Sequence, residues 1–306
     1  MTATRATTAM TATLTITDPL APRRSARDLG PRDLVWDHFS RPRSEDTVAK
    51  IHAAARAGYA AIGLYLGAWA KLRENAEELE RVDEALAQTG LVVANIETLR
   101  GWSAPGNADL HHQEQLAYEM AARWNCRYVQ VIGDATGPLD QAANGFSLLC
   151  QRAAEHGLLV GLEWVPRMTN IEDCATALRI VTDADQENGG LCVDSWHFTR
   201  STNNLEDLRA LPGAKVVATQ WNDGPVIAPH SNTAAEYLED CLSNRVPPGD
   251  GEFDLVDIVK ILDSIGSTAP IGVEVCSREL WAGPMDVAAR ASSDAMQRVL
   301  RNARSQ

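Results

Sequence analysis

The sequence predicts a single (β/α)8 barrel over residues 33–306, preceded by a disordered, low-complexity lead-in at 1–32. Three observations carry that expectation. Short apolar runs alternate with amphipathic helical stretches eight times along the chain. The runs are apolar almost throughout, as parallel strands buried on both faces should be. Four successive runs in the second half end in an oxygen-bearing side chain: Glu163, Asp194, Gln220 and Glu274. Alternation alone also fits a doubly wound open sheet. Polar side chains gathered at the carboxyl ends of several strands favour the barrel, whose sites form there.

In chain order, residues 33–37 make the first strand, and Ser44 offers an N-cap for a helix striped by Val48, Ile51 and Ala55. A strand at 60–65 precedes a helix marked by Leu72, Ala76, Leu79, Val82 and Leu86, which Gly90 stops. Strand three covers 91–97, a helix 109–124, and strand four 128–132. Leu139, Ala143, Phe146, Cys150 and Ala153 trace the next helix, before strand five at 158–163. Asn170 is placed to cap the helix bearing Ile171, Cys174, Leu178 and Val181. Strand six ends at Asp194, a short helix covers 205–211, and strand seven ends at Gln220. The long irregular stretch 223–251 contains a helix near 234–242. A helix through Leu255, Ile258, Val259, Leu262 and Ile265, strand eight at 271–275 and a helix at 285–304 complete the chain.

Composition narrows the function classes. Of 306 residues, 45% are hydrophobic and 23% charged, which suits a water-soluble protein with a large core. The net charge of −13 argues against nucleic acid or an anionic membrane as partner, since either needs a basic surface. No apolar run approaches the length of a membrane span. The six cysteines contain no CxxC pair and sit among apolar neighbours, which reads as reduced thiols in a cytoplasmic protein. Whether the chain forms a homo-oligomer is open.

A ring of strand-end oxygens is what a hard divalent cation requires. Glu163, Asp194, Gln220 and Glu274 would give it three carboxylates and one neutral oxygen, with no thiolate and no histidine cluster. One divalent ion is therefore expected, Mn2+ or Mg2+ first and Co2+ as a further candidate. Trp36, Glu97, Trp102, Trp164, Trp196 and Trp221 lie at or just past predicted strand ends, where aromatic walls would exclude water and stack on ring C–H faces. His111 and His112 read as surface residues, and nothing ties His230 to the barrel mouth.

The second half resembles the xylose isomerase-like TIM-barrel superfamily. The matching residues are Glu163 in Gly-Leu-Glu, Asp194 and His197 in Asp-x-x-His, and Gln220 in Gln-Trp-Asn-Asp-Gly-Pro. Arg245 in Arg-Val-Pro-Pro-Gly-Asp-Gly and Glu274 in Gly-Val-Glu complete them. They span about 158–300; the first half matches mainly through its alternation of strand and helix. The resemblance implies Glu163, Asp194, Gln220 and Glu274 as metal ligands. It also implies Glu163 and Glu274 as the carboxylates that exchange a proton at carbon, and His197 as a contact to a substrate oxygen. Arg245 would hold a hydroxyl, carboxylate or phosphate, a task suited to a rigid guanidinium; Trp196 and Trp221 are further substrate-binding candidates. Gln220 departs from sugar-acting relatives that carry histidine there, and it turns the reading towards dehydration.

The function expected first is a metal-dependent isomerase or epimerase of a ketose or related polyhydroxylated carbonyl compound. The alternative is a dehydratase of the 3-dehydroshikimate or inosose type, which shares the first proton abstraction and needs a general acid for the leaving hydroxyl. A DNA-repair endonuclease would need more metals and histidines on earlier strands, where Asn95, Glu97 and Gln130 stand instead. A non-catalytic binding barrel is the remaining alternative.

Overall fold

The computed structural model describes residues 24–104, 106–227 and 233–305. Eight parallel strands close into a barrel in sequence order. They are β1 (Leu34–Trp36), β2 (Ala61–Tyr65), β3 (Val92–Leu99), β4 (Tyr128–Ile132), β5 (Leu159–Glu163), β6 (Gly189–Asp194), β7 (Val216–Trp221) and β8 (Ile271–Val273). Closure runs through Leu34 beside Ile271 and Trp36 beside Val273. β8 stops at Val273, so Glu274 is the first residue beyond its strand.

Helices α1 (Thr47–Arg56), α2 (Leu66–Leu72), α3 (Ala76–Thr89), α4 (Ala108–Trp124), α5 (Leu139–Glu155) and α6 (Cys174–Ala184) serve the first half. The second half carries α7 (Ser195–Arg200), α8 (Leu205–Arg209), α9 (Ala234–Cys241), α10 (Leu255–Ser264), α11 (Arg278–Ala282) and α12 (Met285–Arg304). Sequence periodicity misses α2, α7 and α11, each of two turns or fewer. Two expected caps are corrected. Asp46, not Ser44, caps α1 by accepting from the Ala49 N–H at 2.7 Å. Asp173, not Asn170, caps α6 by accepting from Thr176, while the Asn170 amide donates to the Gly137 carbonyl. In both cases the aspartate stands immediately before the first helical residue, where its oxygen reaches the free N–H groups.

The main core lies between the strands and the helix ring, and α12 joins it through Ala288, Ala289, Ser292, Ser293, Ala295, Met296 and Val299, all buried. Small side chains there let α12 approach α1 and α10 closely. Residues 24–32, expected within the lead-in, belong to the packed structure. Ala26 and Leu29 cover the amino end of the barrel against Val35, Ala61 and Ala94, and Arg24 pairs with Asp33. The rest of the lead-in, 1–23, lies outside the described residues. No helix among the described residues is long and apolar enough to cross a membrane, and all six cysteines are buried and free.

The upper barrel interior is polar. Asp37, Asn95, Glu97 and Gln130 are buried there beside the strand-end acids. Glycine makes the room: a Cβ on Gly272 would stand 2.2 Å from the Thr219 carbonyl and 2.5 Å from Asp37 Oδ2. Gly63 does the same beneath Asn95 and Glu97.

Candidate active site

Asp194 ends β6 and also caps α7. Its Oδ1 accepts from the Trp196 N–H at 2.7 Å and from Asn222 Nδ2 at 2.9 Å. That double hold fixes the carboxylate and turns Oδ2 towards Arg245, whose Nη1 is 2.8 Å away. The same Nη1 donates to Glu274 Oε2 at 2.9 Å, so one guanidinium hydrogen-bonds to two strand-end acids. Arg245 is anchored by Nε on the Cys241 carbonyl and Nη2 on Cys241 Sγ, which makes it rigid as well as buried.

On the other side, Glu163 Oε2 accepts from Gln130 Nε2 at 2.5 Å, and its Oε1 lies 3.2 Å from His197 Nε2. The first turn of α7 places His197 three residues after Asp194, with Nε2 3.9 Å from Asp194 Oδ2. Tyr237 of α9 holds the opposite ring nitrogen, Nδ1, at 2.5 Å. Among the described residues, Glu163, Asp194 and His197 offer ligand atoms that all lie within 4.8 Å of one another. Two of the four expected metal ligands are therefore gathered directly, with His197 as a neighbour. Gln220 is buried close by; its Oε1 accepts from Gln130 and Cys192. Glu274 is tied to the group through Arg245.

The donor set fits a divalent cation. Three carboxylates converge there with one guanidinium and one imidazole in a buried space, and a doubly charged ion would relieve the repulsion among the acids. Individual groups register the imbalance. Burial, with Glu97, Asp194 and Glu163 adding to it, pushes the Glu274 pKa well above the carboxylate range despite Arg245. Burial also works to raise Asp194, but Arg245, His197 and two hydrogen bonds outweigh it and hold that group low.

These groups open onto a pocket of about 690 Å3 at the carboxyl ends of the strands, lined in part by Glu163, His197, Arg245, Glu274 and Gln130. Its aromatic wall is made by Phe39 and Tyr65, and Arg43 lies over both rings, 4.8 and 4.9 Å from their centres. Arg100 also faces the pocket. Trp196 and Trp221 do not line it. Trp196 packs edge-on against Phe253 under Arg200, and Trp221 donates its indole N–H to Thr219. Trp36, Trp102 and Trp164 are likewise buried packing residues rather than pocket walls. His111 and His112 are exposed, and His230 lies outside the described residues.

A second buried polar group sits at the ends of β1 and β3. Asn95 Nδ2 donates to both Asp37 Oδ1 and Glu97 Oε1, and Lys50 Nζ donates to the Asp37 carbonyl at 3.2 Å. Burial raises Glu97 to about 7 and lowers Lys50 to about 8. Sequence reasoning overlooks Tyr237, Arg43, Phe39 and Tyr65 as site residues. Gln130 did carry a signal, being the one polar residue in an otherwise apolar strand.

The described geometry has counterparts among known proteins. Residues 51–302 match the family described as "Xylose isomerase-like TIM barrel". A 3-dehydroshikimate dehydratase of Pseudomonas aeruginosa is 30% identical over 154 residues, half of this chain and 23% of that protein. An inosose isomerase of Bacillus subtilis is 29% identical over 131 residues, 42% of this chain and 44% of the relative. The chain thus spans less than half the length of these curated relatives. Two solved structures share the fold. The IolI protein, crystallised with a bound zinc atom, aligns with a TM-score of 0.76 at 19% identity, over 90% of this chain and all of that one. A probable 3-DHS dehydratase from Bacillus anthracis aligns at 0.68 and 15% identity, covering 87% and 98%. A match that runs from the first helix of the barrel to the last makes this chain a member of the xylose isomerase-like TIM barrel family.

Proposed function

We propose that the protein is a divalent-metal-dependent hydro-lyase acting on a small polyhydroxylated cyclic ketone. The observation that carries this is the convergence of Glu163, Asp194 and His197 within 4.8 Å at a pocket of about 690 Å3. A cation held by Glu163 and Asp194, with Gln220 and Glu274 completing the set, would polarise a substrate carbonyl and acidify the neighbouring C–H. Mn2+ and Mg2+ remain the first candidates and Co2+ a further one. The zinc in the IolI structure adds zinc to the list.

The chain's own residues do the proton work. Glu274 accepts the α-proton, and the electron pair of that C–H bond becomes the new C=C bond. The adjacent C–O bond breaks, and the oxygen leaves as water with the proton carried on His197 Nε2. Arg43 and Arg100, which line the pocket, suit a ring that bears a carboxylate. Resemblance to 3-dehydroshikimate dehydratases points the same way.

Isomerisation or epimerisation is the second reading. It is favoured by Glu163 and Glu274 lining one pocket, as two proton-exchanging carboxylates should, and by the inosose isomerases among the relatives. A cytoplasmic location is proposed from six free, buried thiols.

The test is incubation of metal-loaded protein with 3-dehydroshikimate, inososes and ketoses in deuterated water, followed by NMR and ultraviolet absorbance. Dehydration gives loss of water and a new chromophore. Isomerisation gives an isomer with deuterium at the exchanged carbon. Recovery of every substrate with its α-hydrogen intact overturns both.

A further inference from the structure

His197 is held from both sides, and the two partners differ chemically. Glu163 Oε1 lies 3.2 Å from Nε2, and a carboxylate can only accept when ionised, whereas Nε2 can donate or accept. Tyr237 Oη, 2.5 Å from Nδ1, belongs to a hydroxyl, which can donate or accept. Tyr237 is fully buried on α9, outside the pocket lining, so it touches no substrate and acts on the pocket only through the imidazole. We propose that Tyr237 is the positioning residue that pins His197 at Nδ1, so that proton exchange takes place at Nε2 without the ring turning.

The hydroxyl suits this because the imidazole alternates between two states. When both ring nitrogens are protonated, Nδ1–H donates to Tyr237 Oη. When Nε2 has given its proton to a leaving oxygen, Nδ1–H remains on the same acceptor and the ring stays in place. If the neutral ring instead keeps its hydrogen on Nε2, the phenol turns and donates to Nδ1. A carboxylate in this position could not make the last of these bonds, and a backbone N–H could not make the first two. Burial holds the phenol well above its usual pKa, which keeps the hydroxyl hydrogen in place. A ring pinned at its far nitrogen delivers Nε2 to one point in the pocket, where orientation counts for much of a proton transfer.

The inference deepens the proposed reaction and rests on it for its kinetic consequence, though not for the geometry. The experiment compares Mg2+-loaded wild type, Tyr237→Phe, His197→Asn and the double variant, with kinetics and 15N NMR of histidine-labelled protein. Tyr237→Phe is expected to lower kcat on the order of 10- to 100-fold, as loss of a supporting hydrogen bond does, with KM changed by less than about twofold. The His197 Nδ1 resonance should move in step. In the His197→Asn background, Tyr237→Phe should cost nothing further. Penalties that multiply in the double variant, or an unchanged kcat with unchanged His197 resonances, overturn the proposal. If Tyr237→Phe fails to fold, the wild-type spectrum decides: a His197 Nδ1 engaged in a strong hydrogen bond supports it, and an Nδ1 without one overturns it. If no offered substrate turns over, the function reading fails while the NMR comparison still judges Tyr237.

Discussion

At the residue scale, the site is a set of charges that balance only in part. Arg245 sits between Asp194 and Glu274 with a hydrogen bond to each, and His197 lies 3.9 Å from Asp194. Glu274 is the proposed base, so Glu274→Gln is expected to lower kcat by about 10^2- to 10^4-fold with the fold retained by circular dichroism. Glu97 gives a prediction about stability. Its pKa in the folded chain is about 7, raised by burial from the ordinary carboxylate range. Between those values the native state binds more protons than the unfolded one, so this group's contribution falls as pH rises. Removing its charge with Glu97→Gln should flatten the decline in melting temperature between about pH 5 and 7. An equally steep decline in the variant would show that other groups set it.

At the element scale, the sequence is legible where burial is complete. Parallel strands covered on both faces read as unbroken apolar runs, which is why all eight were found and why Glu163, Asp194, Gln220 and Glu274 could be seen at their ends. Short helices are not legible that way. α7 is six residues long, too short for a period to show, yet it orients His197 and takes its cap from a site residue. Caps are ambiguous when two suitable residues stand close together, as Asn170 and Asp173 do before α6. The structure's choice can be tested: Asp173→Ala is expected to destabilise the protein by about 1 kcal/mol in urea unfolding, and Asn170→Ala, which leaves the cap intact, by less. Tyr237, Arg43 and Phe39 were illegible for another reason. They reach the site from loop-borne elements whose position the barrel fixes and local sequence does not.

At the scale of the whole molecule, the barrel brings together groups that lie far apart in sequence, from Phe39 to Glu274, in one pocket. Burying them without a compensating cation is costly, so a bound ion should stabilise the fold as well as serve the chemistry. Saturation at about 100 times the dissociation constant is expected to add about 2.7 kcal/mol to unfolding, seen as a rise in melting temperature that chelator reverses. The most direct test of the account is elemental analysis of wild type and Asp194→Asn, both purified without chelator. About one divalent ion per wild-type chain, lost or sharply reduced in a folded Asp194→Asn, is the expected result. Wild type that turns over substrate without metal, or Asp194→Asn that keeps the full complement, would contradict it.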